Sequence, residues 1–269
     1  KVDATQAQSL VAKAVAGGVI TSNADNVIIR HDANYLNSIG QLLNSTESNN
    51  FYLAAPFVDY LKKTNDPRLK SIAVRYVGAA SGTQQVAARA VVDPAVQIGM
   101  PLGYDNSSIS GPVKALGLAS FYDFSQADRT RMNKTTARAY LVTASQTNLL
   151  IAEAITKGWV SGNAKDYFEA GVRAHMDQVS EMDANSVIAS SAADAYLAAN
   201  PFSAANALEQ INTQYWISCF LNGPEAFANF RRTGFPKLTA NPFPGKAIKG
   251  DFINRLTYPN SEISVNSVN

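Results

Sequence analysis

The chain has 269 residues, 46% of them hydrophobic and 16% charged, with a formal net charge of +2. A chain of that length buries a sizeable core, and that composition excludes an intrinsically disordered protein. No basic run exceeds a pair, which excludes a nucleic-acid binder built on a basic stripe, and no apolar run approaches a membrane span.

Read in chain order, Lys1-Val2-Asp3 leads directly into a first helix over residues 3–17, with no signal peptide in view. Asp3 or Thr5 caps that helix, Leu10, Val11, Ala14 and Val15 form its apolar face, and Gly17-Gly18 ends it. Residues 19–49 are rich in Asn, Ser and Asp and read as loop, with Val27-Ile28-Ile29 as a short strand. A second helix over 53–64 accepts Pro56 in its first turn and stops at Asn65-Asp66-Pro67. Leu53, Phe57, Val58 and Leu61 share its inner face.

Between residues 74 and 134 the helical period fades. Glycines and prolines, among them Gly78, Gly82, Pro94, Pro101, Gly103 and Pro112, punctuate short apolar runs there. Irregular excursions of that length in a compact domain tend to carry function.

Helical periodicity returns at 137, and Ala139–Lys157 reads as one helix closed by Gly158. A partner follows over 163–182 with Tyr167, Phe168, Val172, Met176 and Val179 inward, giving a helical hairpin of the tetratricopeptide kind. No clean repeat period runs along the chain, so a regular solenoid is not predicted. A further helix covers about 190–199, capped by Ser190 or Ser191.

The tail begins with a strongly amphipathic helix, N-capped by Ser203 and running to Asn222. Leu208, Ile211, Tyr215 and Cys219 lie at spacings of three and four on one face. Gly223-Pro224 breaks the run and opens a second, short helix; Arg231-Arg232 offset its macrodipole, Gly234 ends it and Pro236 prevents resumption. An Arg pair can form an anion site, but no phosphate-cradling loop precedes this one. Beside Glu225 and Glu262 it reads as a structural clamp between tail segments.

Catalytic signatures are missing. His31 and His175 are the only histidines, with no metal-ligand spacing, and there is no nucleophile elbow or dinucleotide loop. No metal, cofactor or catalytic residue is predicted. The sole cysteine, Cys219, reads as a small buried hydrophobe. Paired carboxylates could still perform glycoside hydrolysis, so a carbohydrate-active hydrolase stays open beside a helical-repeat protein scaffold.

Sugar binding calls for flat aromatic faces beside Asn, Asp or Gln. The irregular region supplies them in Tyr104-Asp105-Asn106 and in Phe121-Tyr122-Asp123-Phe124. Tyr104, Asn106, Tyr122 and Asp123 are the candidate contacts; Phe121 and Phe124 could equally anchor the loop to the core.

Several segments resemble the SusD/RagB family of surface glycan-binding proteins of Bacteroidota. They are FVDYLKKTNDPRL (57–69), TASQTNLLIAEAITKGW (143–159), YFEAGVRAHM (167–176), AYLAANPFSAANALEQINTQYWISCF (195–220) and the tail with its Arg-Arg-Thr-Gly-Phe-Pro run, Tyr258-Pro259, Glu262 and Asn266. The chain departs from the family pattern at Gln146, Tyr215 and Phe227, often Glu, Lys and Trp, and at His175, usually Ser.

The resemblance implies a mainly α fold with tetratricopeptide-like hairpins: one SusD-like domain over 1–269, with a loop-rich excursion at 74–134 and a hairpin plus signature tail at 137–269. It implies a non-enzymatic binder of an oligosaccharide or other nutrient such as a peptide. That binder would sit at the outer-membrane surface beside a SusC-like, TonB-dependent transporter. Family members are about twice as long and carry a lipid anchor, so the chain is expected to be the C-terminal half of one.

Overall fold

The computed structural model describes residues 3–265 apart from 249 and 256; Asn266 of the tail signature and Lys1-Val2 lie outside the described residues. Helix α1 spans Ala4–Gly17, with the Asp3 carboxylate accepting from the Thr5 and Gln6 amides. None of its residues is buried, and Leu10 is 56% exposed. The apolar face predicted for it is therefore only half covered, by contact with the later helix α6.

Strand β1 (Val27–Ile29) and α2 (Ser38–Leu43) occupy the Asn-rich stretch. Helix α3 (Ala55–Lys63) has Pro56 in its first turn and buries Phe57, Val58 and Leu61. It is followed by α4 (Arg68–Ile72) and β2 (Ala73–Tyr76). Short pieces then alternate with loops: β3 (Ala90–Val91), α5 (Ser110–Ala115) and β4 (Gln126–Ala127). β2 is the middle of a three-stranded antiparallel sheet, flanked by β3 and β4.

The helix predicted over 139–157 starts late. Ala139–Val142 forms strand β5, paired antiparallel with β1, and α6 covers Ala144–Thr156. Thr143 decides the boundary. Its extended backbone ends the strand, and its hydroxyl accepts from the Gln146 amide in a capping box. Apolar residues of a four-residue strand had blended into the helical period that follows.

Helix α7 (Ala164–Met182), capped by Asn163, lies antiparallel on α6, the densest packing between any two elements. Helix α8 (Ser190–Ala199) is preceded by Ala189 with no side-chain cap, so neither Ser190 nor Ser191 caps it. Ser203 opens a single 3-10 turn and not α9, which spans Ala207–Ser218 and ends four residues short of Asn222. α9 is not amphipathic in place. Ile211 and Tyr215 join a core with Leu149, Val172 and Tyr196, while Ile217 faces a second core with Leu61, Ile72 and Val179. Asn212, Thr213, Gln214 and Ser218 are buried too, so α9 is the central helix of the molecule.

Helix α10 (Gly223–Thr233) is capped by Asn222 and ended by Gly234 at φ 75°, a conformation that favours glycine. The short α11 covers Asn260–Val265. The architecture is mainly α with no closed sheet, and no helix among the described residues is long and apolar enough to cross a membrane.

Candidate functional site

The loop surface between β2 and β4 is built around Asp123. Its carboxylate accepts from Arg75 Nε at 3.0 Å, from the Gly78 amide at 3.0 Å and from the Ala119 amide at 3.2 Å. Arg75 also donates to the Val96 carbonyl at 2.7 Å. One buried ion pair thus ties three chain segments together: residues 75–78, Val96 and residues 119–123. Asp123 is 2% exposed with every contact internal, so it anchors the loops and offers nothing to a ligand, a correction to its place among the predicted contacts.

Tyr104 and Asn106 lie on a turn of a different kind. The Asp105 carboxylate accepts from the Ser108 and Ser107 hydroxyls, at 2.7 and 2.8 Å, and from both their amides. These bonds, that of the Ser108 hydroxyl first, hold its pKa well below the usual carboxylate range. Ile109, 8% exposed, pins the end of the turn into a small core with Leu118 and Phe124. Gly103 has φ +89°, and a Cβ there would lie 2.5 Å from Pro242, so the tail backs directly onto this turn. Tyr104, 46% exposed, and Asn106 are thereby presented to solvent on a rigid support.

Tyr122 is half-buried. Its ring lies 4.0 Å from that of Phe121, which in turn meets Tyr52 edge-on at 6.1 Å. Gln85 donates to the Tyr122 carbonyl at 2.9 Å and reaches Tyr52 Oη at 3.4 Å. Burial pushes the Tyr52 phenol up to about 12, so it stays protonated and donates to the Asn49 carbonyl. No ring contact or hydrogen bond joins Tyr104 to Tyr122 among the described residues, and of the two only Tyr122 packs against a hydrophobic core cluster. Tyr52 and Gln85 were missed from sequence because nothing local marks them; only the folded chain brings them to Tyr122. Phe124, fully buried, is an anchor.

Cys219 and His175 are withdrawn from solvent. Burial raises the Cys219 thiol to about 12, and His175 is buried and held neutral. No group of three or more His, Cys, Asp or Glu able to hold a metal occurs among the described residues.

The tail Arg pair is structural, with a different partner from the one predicted. Arg232 donates through both Nη atoms to the Glu153 carboxylate, 79 residues back in α6. Glu225 instead accepts from Tyr215 Oη at 2.7 Å, and Arg231 lies over the Phe227 ring.

Residues 1–259 match the model of a SusD-like family described as starch-binding and associating with the outer membrane. The chain belongs to the SusD-like family. No curated protein matches it. Among solved structures, a chitin-binding protein shares 29% identity at a TM-score of 0.82, over 100% of this chain and 56% of that one. A chitin-binding SusD homologue from Flavobacterium johnsoniae shares 25% identity at a TM-score of 0.69, over 98% of this chain and 53% of that one. A Bacteroidetes SusD-like protein, AC2a, at 24% identity and a TM-score of 0.79, has the same fold over 100% of this chain and 62% of its own. The chain therefore spans roughly half to three-fifths of the length of these relatives. In this chain the Ala-Glu-Ala helix and the Arg-Arg tail meet in the Glu153–Arg232 pair.

Proposed function

We propose that this SusD-like chain captures a glycan at the outer-membrane surface, binding it reversibly and performing no covalent chemistry. The observation that carries this reading is its likeness over its whole length to a chitin-binding protein at 29% identity. Tyr104 and Asn106 support it: an exposed aromatic face beside a carboxamide is what the apolar side and hydroxyls of a sugar ring need. We place the captured glycan on its way to a SusC-like, TonB-dependent transporter, with the protein held at the membrane by a lipid anchor. Isothermal titration with chitin and starch oligosaccharides, followed by assay for new reducing ends, tests the reading. Saturable binding without product supports it; product release overturns the non-enzymatic part, and no binding to any glycan overturns the whole. Co-purification with the transporter tests the partnership.

A further inference from the structure

Strands β1 and β5 form a two-stranded ribbon whose register sets Ile28 against Tyr140 and Ile29 against Ala139. One step further along, Arg30 comes opposite Arg138. Residues two apart share a face, so Ile28, Arg30, Arg138 and Tyr140 lie on one side of the ribbon. All four line a pocket of ≈ 240 Å³, completed by Asn23 and Asn26 ahead of β1 and by Glu181 near the end of α7. Like charges directly opposite one another destabilise an antiparallel pair. Arg138 has one carboxylate to offset this, Glu181 at 3.5 Å. Arg30 has none: among the described residues its guanidinium makes no ion pair and no hydrogen bond. The pocket thus carries two cations against one anion.

All three charged side chains are open to solvent. Arg30 is exposed, and the side chains of Arg138 and Glu181 are 40% and 43% exposed. Both cations also bear on one point. Burial raises the Tyr140 phenol, a hydrogen bond from Arg138 opposes that, and the charges of Glu181, Arg138 and Arg30 act on it in turn. The opposite wall is held firmly. Asn23 donates to the Ala174 carbonyl of α7 at 2.9 Å, and Asn26 donates to Asn23 at 3.3 Å. Asn26 also accepts from the Ala144 amide that opens α6, at 2.7 Å. Each carboxamide keeps a second hydrogen to donate.

These walls select the ligand. A guanidinium takes a planar carboxylate through two parallel hydrogen bonds. An excess of one positive charge suits a monoanion, since a dianion would be repelled by Glu181. Only Ala24 and Ile28 are aliphatic in the lining, so the body attached to that carboxylate is hydroxylated and not a hydrocarbon. The volume lies below the roughly 300–1,000 Å³ of pockets for drug-sized ligands, which suits one ring and not a chain of them. We propose that this pocket is a subsite for a sugar acid, a single uronate unit whose carboxylate bridges Arg30 and Arg138 and whose hydroxyls meet Asn23 and Asn26. The proposal rests on the glycan-binding reading for its sugar ring and adds to it an acidic unit, held on the β1–β5 ribbon and not on the Tyr104 turn.

Nitrogen-15-labelled arginine tests it on the unaltered chain at low salt. Titration with glucuronate and galacturonate is expected to shift the Arg30 and Arg138 Nε resonances saturably, and glucose to leave them unmoved. Arg30→Gln, with its fold checked by circular dichroism, is expected to weaken uronate binding about tenfold or more. Glu181→Gln, which removes the competing carboxylate, is expected to tighten it about threefold. Arg173→Gln removes an arginine of α7 that pairs with Asp194 outside the pocket, and is expected to leave it unchanged. Equal losses in all three variants overturn the site. Equal shifts with acetate or sulfate overturn the sugar-acid assignment. Calorimetric binding of neutral glycans, with both arginines unmoved by uronates, overturns this subsite and leaves the glycan reading intact. Silence to every sugar, acidic or neutral, overturns both.

Discussion

Arg68 donates through Nη1 to Nδ1 of His175 at 3.0 Å, joining α4 to α7 across 107 residues of sequence. Because a guanidinium can only donate, His175 must accept at Nδ1 and carry its proton on Nε2. Arg68 is fully buried, paired with Asp66 and bonded to Gln214 Oε1 at 2.7 Å; Gln214 in turn donates to Tyr196 Oη at 2.8 Å. The Asp-Pro-Arg-Leu segment thus supplies a buried, satisfied polar knot between the two cores.

That knot has a pH signature. Burial first, and the Arg68 charge second, push His175 well below its ordinary 6.5, so the unfolded chain takes up a proton there before the folded one does. Stability from this group is fully present above about pH 6.5 and is lost as pH falls toward the depressed folded value, by up to about 1.4 kcal/mol per pH unit. Glu153 and Asp183, lowered from 4.5 and 3.8, lose their share only at more acid pH. Urea midpoints between pH 7 and 5 should therefore fall in the wild type and stay level in His175→Gln. Parallel curves would remove His175 as the cause.

The Glu153–Arg232 pair yields a stability prediction. Burial pushes the Glu153 carboxyl up, but hydrogen bonds from Arg232 and Lys157 more than offset it, and the net direction is down. Arg232→Ala leaves Glu153 buried with Lys157 alone. The loss is expected at about 1–3 kcal/mol, below the range for a fully buried pair because the Arg232 side chain is 42% exposed. In a double-mutant cycle with Glu153→Gln the two losses should not add; additive losses would show that the clamp contributes nothing.

Gly171 reverses the usual rule for helices. Ala for Gly in a helix interior ordinarily stabilises by about 1 kcal/mol. Here a Cβ would lie 2.7 Å from Leu149 Cγ and 3.1 Å from the Ser145 carbonyl of α6. Gly171→Ala should instead destabilise by about 1–3 kcal/mol, read by thermal or chemical denaturation. A gain in stability would mean that α6 and α7 pack less closely than described.

The two tyrosines should separate by assay. Tyr104 is exposed, so Tyr104→Ala should weaken glycan binding by about three- to tenfold with stability within about 0.5 kcal/mol of wild type. Tyr122 packs on Phe121 and against Val74 and Tyr76, so Tyr122→Ala should cost stability as well. Unchanged affinity in Tyr104→Ala, for a glycan that binds the wild type, would take the Tyr104 turn out of the site.

Much of this fold was legible in the sequence by itself. Pro56, the Asn65-Asp66-Pro67 stop, the face of Phe168, Val172, Met176 and Val179, and Gly234 after Arg231-Arg232 act within a turn or two of chain, where periodicity and capping are local. The ordered motifs from Phe57 to Pro236 likewise sufficed to name the family. Only the tertiary structure decided that Ala139–Val142 is a strand, since its partner β1 lies far upstream. It alone chose Glu153 over Glu225 and Glu262 as the partner of Arg232, sank Asp123 beneath the loops that expose Tyr104, and set Arg30 opposite Arg138 at one pocket. Spacing along a chain encodes which face a side chain takes; which distant group meets it there depends on how the elements pack.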